Sequence, residues 1–262
     1  MEREKTTAYE VPPVRRAIAV LKYIGAGNTC ANISKSAKEL GINRTTLIRL
    51  LHTLREERMI EERDENAGFR LGLGLIGLAT ESMNGRDVIQ VGRPRLAALA
   101  DRTGLSAHLG VLDGHDVVYL VRESPNAHLV SNVREGTRLP AHATTMGRIL
   151  LAHLPEDEVR ALYEGEPMPG YSDKTATSFD ALTTQIAADR AAGIAWSAAN
   201  FEEGIGSCAC AVFDHRGRPV AAINVSGPDR IFKQTGAARD QIGDTIKATA
   251  RDISERLGYS GG

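Results

Sequence analysis

The stretch SKSAKELGINRTTLIRLLHTLREERMI, Ser34 to Ile60, constrains the fold of this chain more than any other. Its spacing predicts a short helix over Ser34–Leu40, with Ser34 as cap and Ala37 and Leu40 turned inward. Gly41 stops that helix, because glycine accepts the left-handed conformation in which helices commonly end. Asn43 is a good cap for the next helix, and Ile42 before it packs on Leu47 as a hydrophobic staple that sets the approach angle. Two helices joined by about three residues including a glycine form a helix-turn-helix.

On a wheel of about 100° per residue, Leu47, Leu50, Leu51 and Leu54 share the core side of the second helix, while Thr45, Arg49, His52 and Glu56 face away. That outward face is polarised: Arg44, Thr45, Thr46 and Arg49 stand at its start, Glu56 and Glu57 at its end. Phosphates repel the acidic end, so only the N-terminal half suits a DNA groove, where an arginine fork matches guanine and Thr or Asn reach base edges. Upstream, Val14, Ala17, Ile18 and Leu21 predict a helix from near Val14, after Val11-Pro-Pro, to the Gly25–Gly27 region. Downstream, EERDENAGFRLG reads as a hairpin wing around Asn66, Ala67 and Gly68, in which Arg70 holds a flanking phosphate or enters the minor groove. A solvated helix in a small bundle is the alternative for any one element; the order of all of them favours duplex DNA.

A chain of 262 residues suits two domains. The formal net charge of -1 hides a split: residues 1–72 hold 13 basic and 10 acidic residues, the remainder 19 and 23. Three cysteines, Cys30, Cys208 and Cys210, are an odd number with no disulfide framework, and no signal-like opening or membrane-length apolar run is seen, so a cytoplasmic protein is expected. A Gly-rich helical linker over Leu73–Met83 precedes a helix over Asp87–Arg102, with a boundary near Gly85. Beyond it, two strands flank an Asp113-Gly114 turn. Helices fit Thr144–His153, Glu156–Tyr163 and Phe179–Ala192, the last with Thr177 and Asp180 at capping-box spacing. Strands follow at Ile194–Ala198, Ile205–Phe213 and Pro219–Ser226, then a helix over Thr235–Leu257. The expected class is α+β, an antiparallel sheet with flanking helices behind a winged helix-turn-helix.

The motifs RRAIAVL, ISKSAKELGINRTTLIRLLHTL, FRLG, LPAHATTMGRILLAHL, FDALTTQIAADRAAGIA, GIGSCACAVFD and VAAINVSGP, in this order from about Val11 to Gly258, resemble IclR-type transcriptional regulators. The resemblance implies a winged helix-turn-helix over residues 11–73, a linker helix over 74–86, and an effector-binding and oligomerisation domain like GAF and PAS sensors over 87–260. It implies a non-enzymatic repressor of a catabolic operon, without a cofactor, that binds palindromic operator DNA as a homodimer or dimer of dimers and senses a small organic acid. The DNA-facing set is then Ser34, Asn43, Arg44, Thr45, Thr46, Arg49, His52 and Arg70. The effector set is Thr145 and Met146 at a helix start whose amides receive a carboxylate, with Ser197, Ser207, Asn224 and Ser226 as polar lining. Leu139 and Ile205 form apolar walls, and His128 and Ser131 line the far end.

The chain departs from the common pattern around Ala199-Asn200, where an acidic pair is usual, and at Cys210-Ala211. Its neutral Ser197, Ser207, Asn224 and Ser226 put no fixed acid against an anion, and their hydroxyls suit a hydroxylated aromatic acid such as 4-hydroxybenzoate. Trp196, the only tryptophan, is next to Ser197 and is expected to report binding by fluorescence. Two other classes stay open: a metal or redox sensor through Cys208 and Cys210, and a hydrolase using Cys208 or Ser207 with His142 and Asp214. The Cys-x-Cys lacks a second ligand pair and reads better as buried small residues.

Overall fold

The computed structural model describes residues 10–63, 67–84, 87–125, 133–233 and 235–260. The chain divides into two compact units, Met1–Gly85 and Arg86–Gly262.

The first unit contains α1 (Pro12–Gly25), α2 (Ile33–Glu39), α3 (Arg44–Glu56), an antiparallel hairpin of β1 (Ile60–Glu62) and β2 (Phe69–Leu71), and α4 (Leu73–Asn84). Helix α1 begins at Pro12 rather than near Val14, because a proline lacks only an N–H that the first helical turn leaves unpaired anyway. Asn32, not Ser34, caps α2: its side chain accepts the Lys35 amide at 3.0 Å, and Ser34 is exposed in the first turn. The helix ends as expected at Gly41, which has φ +62°. There Ile42 N donates to Ala37 O at 2.9 Å and Gly41 N to Lys38 O at 3.2 Å, the paired closure of a Schellman motif. Asn43 caps α3 by accepting the Thr45 amide at 2.9 Å. Leu47, Leu51 and Leu54 are buried in one core with Val20, Ile24, Ile42 and Ile60, against which the partly buried Leu50 packs.

The second unit is a six-stranded antiparallel sheet of order β5-β4-β3-β8-β7-β6. Its strands are β3 (Ser106–Asp113), β4 (Asp116–Glu123), β5 (Arg138–Pro140), β6 (Ala195–Ala198), β7 (Ile205–Phe213) and β8 (Pro219–Pro228). Its helices are α5 (Asp87–Thr103), α6 (Thr145–Ala152), α7 (Glu156–Tyr163), α8 (Phe179–Ala192), α9 (Asp229–Lys233) and α10 (Ala237–Arg256). The short β5 and α9 carry too few residues to show a period and were not expected. The β3–β4 loop is Gly114-His115, between paired Asp113 and Asp116, with Gly114 at φ +61°. It lies one residue beyond the expected Asp113-Gly114, because glycine takes the first loop position where φ is positive. Ser178, not Thr177, caps α8 by accepting the Ala181 amide at 3.3 Å.

Alternation along the strands separates two helical layers. A Cβ built on Gly92 of α5 would meet Leu109 Cδ1 at 2.7 Å, whereas one on the next strand residue, Gly110, would meet Met146 Cε of α6 at 3.2 Å. The α6 face is lined by small residues, Ala195, Ala209, Ala211 and Ala222, which share a core with Met146, Ile149 and Leu150. These small side chains let α6 lie close to the sheet and leave a cavity at its N-terminal end.

Candidate functional site

In the first unit, α3 presents Arg44, Thr45, Arg49 and His52 to solvent, while Thr46 is half-buried. Among the described residues, neither Arg44 nor Arg49 has an acidic partner, whereas the neighbouring arginines are committed. Arg55 pairs with Glu62 at 2.7 Å and Glu56 at 3.2 Å, and Arg70 of the wing pairs with Glu61 at 3.2 Å. Within α3 the arginines without an acidic partner among the described residues thus lie in its first half, and Arg70 must leave Glu61 to engage a phosphate.

In the second unit, a cavity of about 530 Å³, counted with its open mouth, lies between the sheet and the start of α6. Thr145, Ser197, Ser207, Asn224, Ser226, Leu139 and Ile205 all line it. Strand register explains the convergence: Ser106, Ser226, Ser207 and Ser197 are successive partners across β3, β8, β7 and β6, so four serines form one row. The next row on the same face pairs His108 with Asn224. His128 and Ser131 lie outside the described residues.

Met146 stands at the start of α6, where its amide rather than its side chain was expected to serve. Its side chain is fully buried in the core and only its backbone stands at the helix start, because position two of α6 turns toward Gly110. Helical bonding begins with Arg148 N donating to Thr144 O at 2.9 Å, and Gly147 N donates to the capping Thr144 Oγ1 at 3.2 Å. The Thr145 and Met146 amides are therefore first-turn donors, in the positive end of the helix dipole where a carboxylate is favoured.

The serines differ in role. Ser197 Oγ donates to Asn200 Oδ1 at 3.0 Å and accepts the Asn200 amide at 3.2 Å, which ties down the turn after β6. Ser207 and Thr145 share a hydroxyl–hydroxyl bond of 2.9 Å that fixes the α6 start to β7. Ser226 Oγ is buried without a protein partner among the described residues. The cavity also holds groups the sequence did not reveal: His108, Tyr119, Thr144, Phe201 and Glu202. Glu202 corrects the expectation that no acid faces the pocket; it stands on an exposed loop where solvent screens its charge.

His108 is 1% exposed. Its Nδ1 faces Asn224 Oδ1 at 2.9 Å and its ring meets Tyr119 edge-on at 5.5 Å. Burial, opposed by the Asn224 bond and aided by Arg122, holds the imidazole down to about 4, so it is neutral near pH 7.

The cysteines are on the other side of the sheet. Cys208 and Cys210 pair with Val225 and Ile223, one residue out of phase with the serine row, and both are buried and free. Burial raises both thiols, Cys210 to about 12. His142 gives its Nε2 to Pro169 O at 3.0 Å, and Asp214 is bound to Arg218 in the β7–β8 turn. His142 and Asp214 of the hydrolase reading are thus bonded to other groups, and Cys208 is on the face opposite Ser207. Trp196 also turns away from Ser197, under the Arg239 guanidinium at 4.0 Å, so its fluorescence is an indirect reporter of the cavity.

No helix among the described residues is long and apolar enough to cross a membrane. The IclR helix-turn-helix domain matches residues 13–64, and the bacterial transcriptional regulator IclR C-terminal domain matches residues 80–255. The chain is 33% identical to the HTH-type transcriptional regulator XynR of Escherichia coli K12 over 249 residues, covering 95% of this chain and 98% of that one. It is 26% identical to the HTH-type transcriptional repressor AllR of Klebsiella pneumoniae, covering 98% and 94%. A regulator structure from Rhodococcus sp. RHA1 superposes with a TM-score of 0.82 at 30% identity, covering 95% of this chain and 98% of that one. An IclR homolog from Microbacterium hydrocarbonoxydans, solved with 4-hydroxybenzoate, superposes with a TM-score of 0.79 at 22% identity, covering 94% and 98%. With both domain types matched in order along most of its length, this chain belongs to the IclR family of bacterial transcriptional regulators.

Proposed function

We propose that the chain is a repressor of a catabolic operon that binds palindromic operator DNA and senses a small organic acid in the second unit. The cavity at the α6 N-terminus carries this reading: first-turn amides receive the carboxylate, and Thr145, Ser207 and Asn224 supply uncharged polar contacts. Residues 11–73 are the DNA-binding domain, 74–86 the linker helix, and 87–260 the effector-binding and oligomerisation domain. The reading surface is α3, with Ser34 and Arg70 on flanking phosphates.

Self-association is supported by a run of exposed apolar side chains in the first unit: Val14 and Ile18 on α1, and Leu73, Ile76 and Leu78 on α4. A homodimer places two α3 helices on half-sites about one DNA turn apart, roughly 34 Å. A dimer of dimers extends the same arrangement. A hydroxylated aromatic acid is the favoured effector class, since 4-hydroxybenzoate occupies the Microbacterium homolog and the cavity here has several hydroxyls.

A gel shift on DNA upstream of the chain's own gene, repeated with benzoate, 4-hydroxybenzoate, glycolate and lactate, tests the proposal. The expected result is a specific shift whose affinity changes about 5- to 150-fold with one of the acids, the usual range of allosteric coupling. A specific shift indifferent to all of them, with none bound in calorimetry, would sink the sensor half of the reading.

A further inference from the structure

We propose that His108 is the specificity-determining residue of the cavity, recognising a hydroxyl donor on the effector, so that hydroxy acids are selected over their deoxy, keto and ether analogues. This rests on the reading of the cavity as the effector site and says which chemistry the site demands of the acid's other end.

The argument starts from hydrogen-bond supply and demand. His108 is 99% removed from solvent, lines the cavity, and has no protein partner for Nε2 among the described residues. Its other nitrogen faces the Asn224 carbonyl oxygen, a pure acceptor, at 2.9 Å. A neutral imidazole in that contact carries its proton on Nδ1, so Nε2 presents a lone pair. A buried acceptor without a donor is destabilising because it has given up water for nothing, so the native protein gains by having one supplied.

The nearest protein chemistry does not supply it. The row beside His108 and Asn224 is Ser106 and Ser226, and both hydroxyls are themselves buried without protein partners among the described residues. The serines that do make bonds, Ser197 and Ser207, are at the far side of the row, bonded to Asn200 and Thr145. The cavity therefore has a closed polar side at α6 and an open one at β3–β8. An acid whose carboxylate meets the α6 amides and whose hydroxyl reaches β3–β8 completes both. Ser226 accepts or donates and tolerates several geometries; Nε2 accepts only, and this one-way demand sets the selectivity.

The test is calorimetry on the full chain with matched probes, 4-hydroxybenzoate against benzoate and 4-methoxybenzoate, and lactate against propionate and pyruvate. In at least one series the hydroxy acid is expected to bind about 10- to 100-fold more tightly than both analogues. His108→Phe, which keeps a buried ring but removes the acceptor, is expected to shrink that ratio toward one, with a larger loss for the hydroxy acid than for its deoxy analogue, and Ser226→Ala to shrink it less. Histidine 15N NMR of the free protein is expected to show His108 protonated on Nδ1, with a bare Nε2 whose resonance moves on binding the hydroxy acid alone. Acids that bind with equal affinity whether or not they carry a hydroxyl, or a proton found on Nε2, would overturn the assignment of His108 while leaving the sensor standing. Failure of every acid to bind would overturn both.

Discussion

Arg49 and Arg55 are about 1.7 turns apart on the same helix, yet their surroundings give them different work. Arg55 is held by Glu56 and Glu62, whose negative charge beside it repels a phosphate. Arg49 has no acidic partner among the described residues and is exposed, so its guanidinium fork is available without breaking an existing pair. Arg49→Ala is expected to weaken operator binding by about 1 to 3 kcal/mol in a gel-shift titration, the value of a bidentate arginine–guanine contact. Arg55→Ala is expected to change it by less than about 0.5 kcal/mol, since an exposed pair already occupied contributes little. Equal losses would show that α3 acts through general positive charge. The face of α3 was legible in the sequence because its period is local. The pairing of Arg70 with Glu61 was not, since it depends on which wing residues stand opposite each other.

At the scale of elements, α6 is the helix on which the cavity depends, and its position is fixed by a buried ion pair. Arg148 Nε donates to Asp189 Oδ2 of α8 at 2.8 Å, while Nη2 donates to Asp189 Oδ1 at 3.2 Å and to Trp196 O of β6 at 2.9 Å. Burial pushes the Asp189 carboxyl above its ordinary range despite the guanidinium against it, so desolvation outweighs the attraction it receives. The two ends of such a pair are unequal in consequence from the pair as a whole. Arg148→Met leaves a buried carboxylate and is expected to cost about 3 to 5 kcal/mol in thermal or denaturant unfolding. Arg148→Met with Asp189→Leu is expected to recover most of that stability. If the double variant still loses acid binding, the pair serves to aim the α6 amides rather than to hold the fold. Gly147 acts in the same place: a Cβ there would meet Ala141 O at 2.1 Å, so only glycine lets the first turn of α6 sit against the segment after β5.

For the whole molecule, the exposed apolar run of α1 and α4 is the feature a monomer has least reason to keep. Leu73 is 70% exposed, Ile76 59% and Leu78 60%. Ile76→Glu is expected to shift sedimentation toward monomer and to lower operator affinity by at least about tenfold, because one half-site then lacks the second reading helix tethered beside it. An unchanged mass would place the self-association surface elsewhere.

What the sequence determined by itself is what short-range physics decides: the Gly41 stop, the Asn43 cap, the leucine stripe of α3, and the span of α7 and α8. Caps, stops and helical periods are set by residues within one or two turns of each other, so they can be read before any tertiary contact is known. Where several polar residues stand close together the local pattern misleads: Ser34 and Thr177 were expected to cap, but Asn32 and Ser178 are the residues in extended conformation immediately before the first turn. The cavity is different in kind. His108 and Asn224 are 116 residues apart and meet only because β3 pairs with β8 in one register. Shifting that register by one residue would exchange the serine row for the cysteine face. Which side chains look into the cavity, and which acceptor there lacks a donor, was therefore decided by tertiary strand pairing, whose register no local pattern encodes.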